Sequence, residues 1–411
     1  MATWETMSFS TDKQIGSANA TDAANGTRVR IEIISEISRL MAIGPDWRDL
    51  ETRVADRMAY FQSYDWCLRW CENYLGADEC NEMRIAAIYR GDTLVSIWPL
   101  IRACEPLIRA CEPLGLRVVR FLGEPLAQYG NVLLDTNLMS IDEAKESWGE
   151  IRKALDCDAI VFERFPKDSP LAQILDQEHI YKDQDDVSLM MELNQHESWD
   201  AYEAGLKKST RKNRRRRRRN LEELGNVTFK VHYGGTPEYK KLVHQSIAFK
   251  LEWLNENGRR MTSFADPRAV EFLAALDGKE AAEQGAIALA LYVDDKPIAI
   301  ELGFGNFQHY YCYLGSFDWA LKDYSPGKIQ MEETLKWALS SNLEHIDFLG
   351  NYTAYQSDWS NCTAEITGYG IGNTLKGTFY ARLWKPTLMP LIKTAFRALP
   401  PGIRRLLVGA K

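Results

Sequence analysis

The sequence predicts an α/β fold assembled from two diverged copies of one strand-rich unit. Three observations predict it. The chain has 411 residues, more than one ordinary core organises, so two units are expected. Two stretches of matching outline read as β-hairpins, Arg84 to Leu100 (RIAAIYRGDTLVSIWPL) and Ala286 to Leu302 (AIALALYVDDKPIAIEL). Each is followed by a further strand, a helix and a closing strand, which is Ala159 to Phe165 in one half and His345 to Leu349 in the other.

The elements follow in order. Residues 1–27 are rich in Ser, Thr, Ala, Gly and Asp, lack periodicity, and read as a disordered lead. Val29 to Ile33 alternates as a strand, and Asp46 to Leu75 reads as mostly helical. Arg90-Gly91-Asp92 turns the first hairpin. Ile101 to Leu107 (IRACEPL) recurs letter for letter at Ile108 to Leu114. That repeat is too short for a solenoid and reads as a small duplication within a loop, where insertion is cheap. Arg120 to Leu134 holds a strand and the polar segment Gly123 to Asn131; a helix over Ile141 to Leu155 and a buried strand at Ala159 to Phe162 complete the first copy.

The second copy opens with a helix over Ala201 to Leu224 and an alternating strand at Thr228 to Tyr233. Pro237 to Leu254 carries Tyr239, Leu242, Val243, Ile247, Leu251 and Leu254 at helical spacing. Asp266-Pro267 starts another helix, with a cap residue and a proline in the first turn. Asp294-Asp295 turns the second hairpin.

Composition bounds the function. Hydrophobic residues make up 45% and charged residues 26%, ordinary for a globular protein, and the net charge of −7 argues against a nucleic-acid binder by overall charge. The eight cysteines are scattered, and Cys67 with Cys71 has no second pair at zinc-ligand spacing, so core thiols and no metal are expected. The N-terminus lacks a signal-peptide pattern, and no run of about 18 apolar residues predicts a membrane-spanning helix. The expected location is the cytoplasm, with peripheral contact to the inner membrane left open.

Two phrases carry the chemistry. Tyr324-Ser325-Pro326-Gly327-Lys328 opens a helix whose apolar stripe is Met331, Leu335, Ala338 and Leu339. It supplies a cap residue, a proline at the first helical position, a glycine for close approach and a cation, and a helix N-terminus holds phosphate well. Plain helix initiation needs only the Ser-Pro. It is not a P-loop, because the GxxxxGK[ST] spacing is absent. Asp347-Phe348-Leu349-Gly350 ends the next strand and runs on to Tyr352, Tyr355 and Trp359. Strand ends gather reactive groups in α/β sheets, so Asp347 is a candidate general base or orienting group; the competing reading is a carboxylate satisfying backbone donors and a tryptophan in the core. Glu301, the one acid on an otherwise apolar strand, is a second base candidate or a solvent-facing residue. His309 and His345 lack any catalytic motif and read as structural or surface residues.

The chain holds 50 basic and 57 acidic residues, and ten of the basic ones lie between Lys207 and Arg219, a run with no acid. Six consecutive arginines, Arg214 to Arg219, point in every direction on a helix, so they cannot be half buried without partners. Three readings stand: a phosphate-rich ligand such as transfer RNA, an anionic membrane or polysaccharide surface, or a solvated helix paired with acids. Aromatic interleaving for base stacking is absent, which favours a solvated or ligand-attracting helix.

Taken in order, the basic Lys-Lys-Ser-Thr-Arg-Lys-Asn-Arg-Arg helix, the hairpin, Tyr-Ser-Pro-Gly-Lys and Asp-Phe-Leu-Gly with its Tyr and Trp resemble the GNAT-type acetyltransferases of the CelD/BcsL group. That group, associated with cellulose and exopolysaccharide synthesis, is similar in turn to the FemAB-like transferases, which carry two GNAT units in one chain. The resemblance spans about residues 30–385. It implies tandem GNAT-like units, each a mixed, mostly antiparallel sheet flanked by helices: a unit over 28–195, a C-terminal acetyltransferase domain over 196–385, and an amphipathic tail over 386–411.

It also implies acyl-CoA, acetyl-CoA foremost, as co-substrate and a sugar, amino sugar or amine as acceptor. Tyr324, Ser325, Pro326, Gly327 and Lys328 would meet the CoA pyrophosphate. Asp347, Tyr355 and Glu301 are the catalytic candidates, and Tyr352, Trp359 and Tyr313 face the acceptor. Asn351 and Gln356 depart from the group, which commonly has a basic residue and a lysine at those places. Two alternatives remain: a FemAB-like transferase using aminoacyl-tRNA, and a non-catalytic GNAT module docked on a polysaccharide synthase.

Overall fold

The structure is a computed structural model and describes residues 29–76, 81–106, 115–258, 264, 266–279, 284–350 and 354–399. The N-terminal lead, the second copy of the IRACEPL repeat, Asn351 and Tyr352 lie outside them. Its strands are β1 (Val29–Ile34), β2 (Glu82–Met83), β3 (Ile85–Arg90), β4 (Thr93–Trp98), β5 (Leu100–Pro106), β6 (Gly115–Phe121), β7 (Leu133–Leu134), β8 (Ala159–Pro166), β9 (Ile180–Glu192), β10 (Val227–Tyr233), β11 (Gly278–Lys279), β12 (Gln284–Val293), β13 (Lys296–Asn306), β14 (His309–Phe317), β15 (His345–Asp347) and β16 (Cys362–Gly372). They build a four-stranded sheet in the order β1-β3-β4-β7 and a twelve-stranded sheet in the order β10-β12-β13-β14-β15-β9-β16-β8-β6-β5-β2, with β11 beside β12.

The two halves follow one plan. In the second, β10, β12, β13 and β14 pair antiparallel, and β14 then pairs parallel with β15. In the first, β1, β3 and β4 pair antiparallel, β5 pairs antiparallel with β6, and β6 pairs parallel with β8. Only Pro99 separates β4 from β5, and it divides one long strand between two sheets where the matching β13 is unbroken. A proline has no N–H to donate to a ladder. The centre of the large sheet reads β15-β9-β16-β8. The strand that leaves the first half thus lies beside β15 of the second, and the last strand of the second lies beside β8 of the first.

The helices up to the basic run are α1 (Ile37–Ala42), α2 (Gly44–Val54), α3 (Tyr64–Tyr74), α4 (Ile141–Ala154), α5 (Pro170–Ile174), α6 (Trp199–Gly205) and α7 (Lys208–Glu222). Those beyond it are α8 (Pro237–Glu256), α9 (Pro267–Ala274) and α10 (Pro326–Ser340). The single helix expected over Asp46 to Leu75 is two: Ala55 turns left-handed after α2, and the Ser63 hydroxyl accepts from the Trp66 N–H to start α3. The basic helix likewise divides between Gly205 and Lys208. Ser140 and Glu143 form a capping box at the start of α4.

One core joins the halves. Trp47, Phe61, Trp66 and Tyr129 pack with Tyr239, Phe272, Phe304 and Tyr311. Tyr60 stacks on Phe304 at 4.5 Å, and Trp66 meets Phe272 edge-on at 4.7 Å. Cys67, Cys71 and Cys157 are buried thiols as expected, whereas Cys104 is exposed.

Candidate functional site

Two irregularities in β14 shape the site. Leu302 pairs with Leu314 and Gly303 with Cys312, so Tyr313 is bulged out of register. On its other edge β14 pairs with β15 over only His309–His345, Tyr310–Ile346 and Tyr311–Asp347. Beyond Asp347 the chain turns towards β9: the Phe348 N–H donates to the Leu189 carbonyl, and Leu349 is left-handed at φ 50°. The two parallel strands therefore part beside the bulge.

The first turn of α10 follows a 3-10 turn, Trp319–Tyr324, which the Asp318 side chain caps at the Ala320 N–H. Ser325 was expected to cap α10 with its hydroxyl, but it sits in the left-handed region at φ 55° and its side chain caps nothing. A capping side chain normally needs an extended backbone to reach back to the first turn. The Ser325 carbonyl accepts from the Lys328 and Ile329 N–H groups instead. Pro326 is buried, Tyr324, Ser325 and Gly327 are half-buried, and Lys328 is exposed.

Asp347 is fully buried. Its carboxylate accepts from the Tyr129 hydroxyl at 2.8 Å, the Ser188 hydroxyl at 2.8 Å and the Leu349 N–H at 2.7 Å. Tyr129 and Ser188 come from the first half, so Asp347 is a joint between the two. Burial, with the Asp347 charge second, pushes the Tyr129 phenol well above its ordinary value. His309 Nε2 lies 3.5 Å from Asp347 Oδ2, and the His309 ring stacks on His345 at 5.7 Å. Both histidines are buried, so neither is a surface residue. Burial and then Arg57 lower the His345 pKa, and Arg57 Nη1 lies 3.4 Å from His345 Nδ1. Beside them Asp56, Arg57, Gln308 and Glu344 line a cleft between the halves.

Glu301 is 5% exposed and not solvent-facing. It pairs in register with Gly315, two residues past the bulge, and its carboxyl accepts from the Leu314 N–H while Oε1 has no partner. Burial raises its pKa to about 8, against the opposing pull of Lys250 and that N–H. A carboxyl that titrates near neutrality can take up or release a proton at working pH.

Trp359 is buried in the core beneath α10, with the Arg214 guanidinium 4.4 Å over its ring. Arg214 itself is buried, 3.5 Å from Glu332, and Arg217 reaches the same carboxylate at 3.2 Å. Arg218 pairs with Glu333 and Glu222. The run expected to be solvated is therefore divided: Arg214, Arg217 and Arg218 fasten α7 to α10, while Lys208, Lys212, Arg216 and Arg219 stay exposed. Tyr313 donates its hydroxyl to the Leu126 carbonyl at 3.0 Å, and burial pushes its phenol up. Tyr355 belongs to the short helix Ala354–Ser357, where the Gln356 amide donates to the Phe348 carbonyl at 2.9 Å.

Sequence reasoning missed Tyr129 and Ser188, and it named His309 without placing it beside Asp347. Tyr129 lies in the polar segment Gly123 to Asn131, which was a usable signal; Ser188 lies on a strand that was not anticipated at all.

A helix between two parallel strands that part beside a bulge is the kind of acyltransferase fold the resemblance implied. Residues 208–357, which lie in the second half, match the family described as the acetyltransferase (GNAT) domain. Among solved structures the chain is similar to FemX, at 12% identity and TM-score 0.53, with 82% of this chain and 98% of FemX covered. It is also similar to the C-terminal domain of a putative lysylphosphatidylglycerol synthetase from Agrobacterium fabrum, at 11% identity and TM-score 0.50, covering 83% of this chain and 94% of that one. No curated protein matches the chain.

Proposed function

We propose that the chain is an acyl-CoA-dependent acyltransferase, with acetyl the expected acyl group, acting on an amine or hydroxyl of a sugar, amino sugar or amine. The observation that carries this reading is the parting of β14 and β15 beside the Tyr313 bulge, within the segment that matches the GNAT domain. The first turn of α10 suits a pyrophosphate: it contains no acidic residue and stands at the positive end of a helix of 15 residues. A Cβ added at Gly327 would meet only Phe317, at 3.5 Å, so the turn has room beside it.

In this reading Tyr324, Ser325, Pro326, Gly327 and Lys328 hold the donor. Bound acyl-CoA supplies an activated thioester carbonyl. The acceptor nitrogen or oxygen bonds to that carbonyl carbon and the carbon–sulfur bond breaks. Glu301, poised near neutrality, takes the acceptor's proton, and Tyr355 or Tyr313 returns a proton to the departing sulfur. Backbone N–H groups of the bulged strand polarise the carbonyl oxygen. Asp347 acts as a positioning residue that keeps β15 in place, and Tyr352 belongs to the acceptor side, whereas Trp359, buried under Arg214, packs in the core.

Isothermal titration with acetyl-CoA tests the donor site. Wild type binds, and Gly327→Asp, which sets a negative charge where the phosphates sit, does not. Absence of wild-type binding at millimolar ligand sinks the proposal. Binding without turnover on any amine or sugar leaves a GNAT module without catalysis. A second reading, aminoacyl transfer from transfer RNA, is favoured by the exposed Lys208, Lys212, Arg216 and Arg219 of α7. If it holds, Arg216→Ala with Arg219→Ala removes transfer-RNA binding and spares acetyl-CoA binding.

A further inference from the structure

After β16 the chain runs through three consecutive helical segments, Leu375–Phe379, Tyr380–Leu388 and Met389–Ala398. The middle segment is wound as π-helix and contains Pro386. One side of it is used. Tyr380, Ala381 and Trp384 close a small core with Leu116, Val118, Ala159 and Val161. Lys376 pairs with Asp158 at 3.1 Å and Lys385 with Glu163 at 2.8 Å, which pins the start of the segment to the sheet.

The other side exposes large apolar side chains among the described residues. Leu375 is 93% exposed, Phe379 40% and Leu383 44%, at steps of four residues; Leu391 and Ile392 follow at 61% and 54%. Ten large apolar side chains are exposed among the described residues, and these are five of them, within 18 residues of chain. Such clustering marks an interaction surface rather than scattered surface leucines.

Charge identifies the partner. From Ile366 to Lys411 the sequence holds eight basic residues and no acidic one, and six remain once Lys376 and Lys385, which pair with the sheet, are set aside, on a chain whose net charge is −7. Solvation alone gives no reason to segregate one sign. Apolar side chains flanked by unbalanced positive charge match the acyl boundary and headgroups of an anionic bilayer. A second copy of the chain matches less well, because a twofold contact through this segment sets its cations against their own copies. No described helix is long and apolar enough to cross a membrane, so the surface is one that lies on it. We propose that residues 375–398 dock the protein on a bilayer of anionic phospholipid. This does not depend on the acyltransferase reading.

Co-sedimentation of the full chain with phosphatidylglycerol-containing vesicles and with neutral phosphatidylcholine vesicles tests it. The expected result is partition onto the anionic vesicles that falls about tenfold at high salt. A Leu375→Glu, Leu383→Glu, Leu391→Glu variant loses it by at least about tenfold. These side chains are exposed, so the variant keeps the wild-type melting temperature and serves as its own folding control. Absence of partition, equal partition onto neutral vesicles, or an unchanged variant overturns the proposal. So does sedimentation velocity showing a wild-type dimer that the same variant dissociates, since a second copy would then cover the surface.

Discussion

The Tyr129 hydroxyl donates to the carboxylate of Asp347 at 2.8 Å across 218 residues of sequence, both side chains fully buried. That bond ties a polar segment of the first half to the last residue of the shortest strand beside the site. With Ser188 and the Leu349 N–H it leaves Asp347 well supplied with donors.

Tyr129→Phe removes one donor from a buried carboxylate and keeps the ring packing. A hydrogen bond to a charged group is worth about 1.5–3 kcal/mol. Urea unfolding should show a loss of about 2 kcal/mol, with acetyl-CoA binding retained; an unchanged midpoint would mean that the bond contributes nothing net.

Arg214 and Arg216 are two residues apart and should behave differently. Arg214 is buried on Trp359 and beside Glu332, and its removal uncovers the Trp359 ring and leaves the buried Glu332 carboxylate with Arg217 as its remaining arginine partner. Arg214→Ala is expected to cost about 3 kcal/mol, whereas Arg216→Ala, exposed, should stay within about 0.5 kcal/mol. Thermal melts of the two variants side by side decide it.

Glu301 makes stability depend on pH. Its folded pKa, about 8, stands above the ordinary 4.5, so between those values the folded state holds a proton that the unfolded state has released. Stability from this group is full below the lower value and falls as pH rises to the upper one. Glu301→Gln should flatten that decline and raise stability at pH 8 relative to wild type, read as denaturation midpoints across the range. In the proposed reaction the same variant lowers kcat, with little effect on acetyl-CoA affinity.

Gly377 sits where the C-terminal segment meets the sheet. A Cβ there would lie 1.7 Å from the Asp158 carbonyl oxygen, a backbone atom that cannot step aside. Gly377→Ala is therefore expected to destabilise by about 3 kcal/mol through overpacking, or to release the segment. Limited proteolysis distinguishes the two, because release exposes the chain near Tyr380 to cleavage while the rest stays resistant.

Local pattern made much of the fold legible in the sequence. Alternation marked the first hairpin within two residues of its observed ends, Ile85 and Trp98, and the second within two at its start, Gln284, and four at its end, Asn306. The Asp266 cap of α9 was equally readable, as was the helical stripe of α8 except for Leu251, which is exposed. In each, neighbours within a few positions share one environment, so periodicity reports burial directly.

The sequence by itself determined the two-copy plan and the helix that opens at Pro326. Tertiary structure alone decided how the copies join and what Asp347 touches. Strands β9 and β16 were not foreseen: one carries the acidic Asp183 to Asp186 stretch and the other three glycines, and each lies between two strands of the other half. The Asp347 partners Tyr129 and Ser188, 218 and 159 residues away, leave no local trace of the pairing. The arginine run was visible as charge, but which arginines turn inward depends on where Glu332 and Trp359 stand, and only packing sets that.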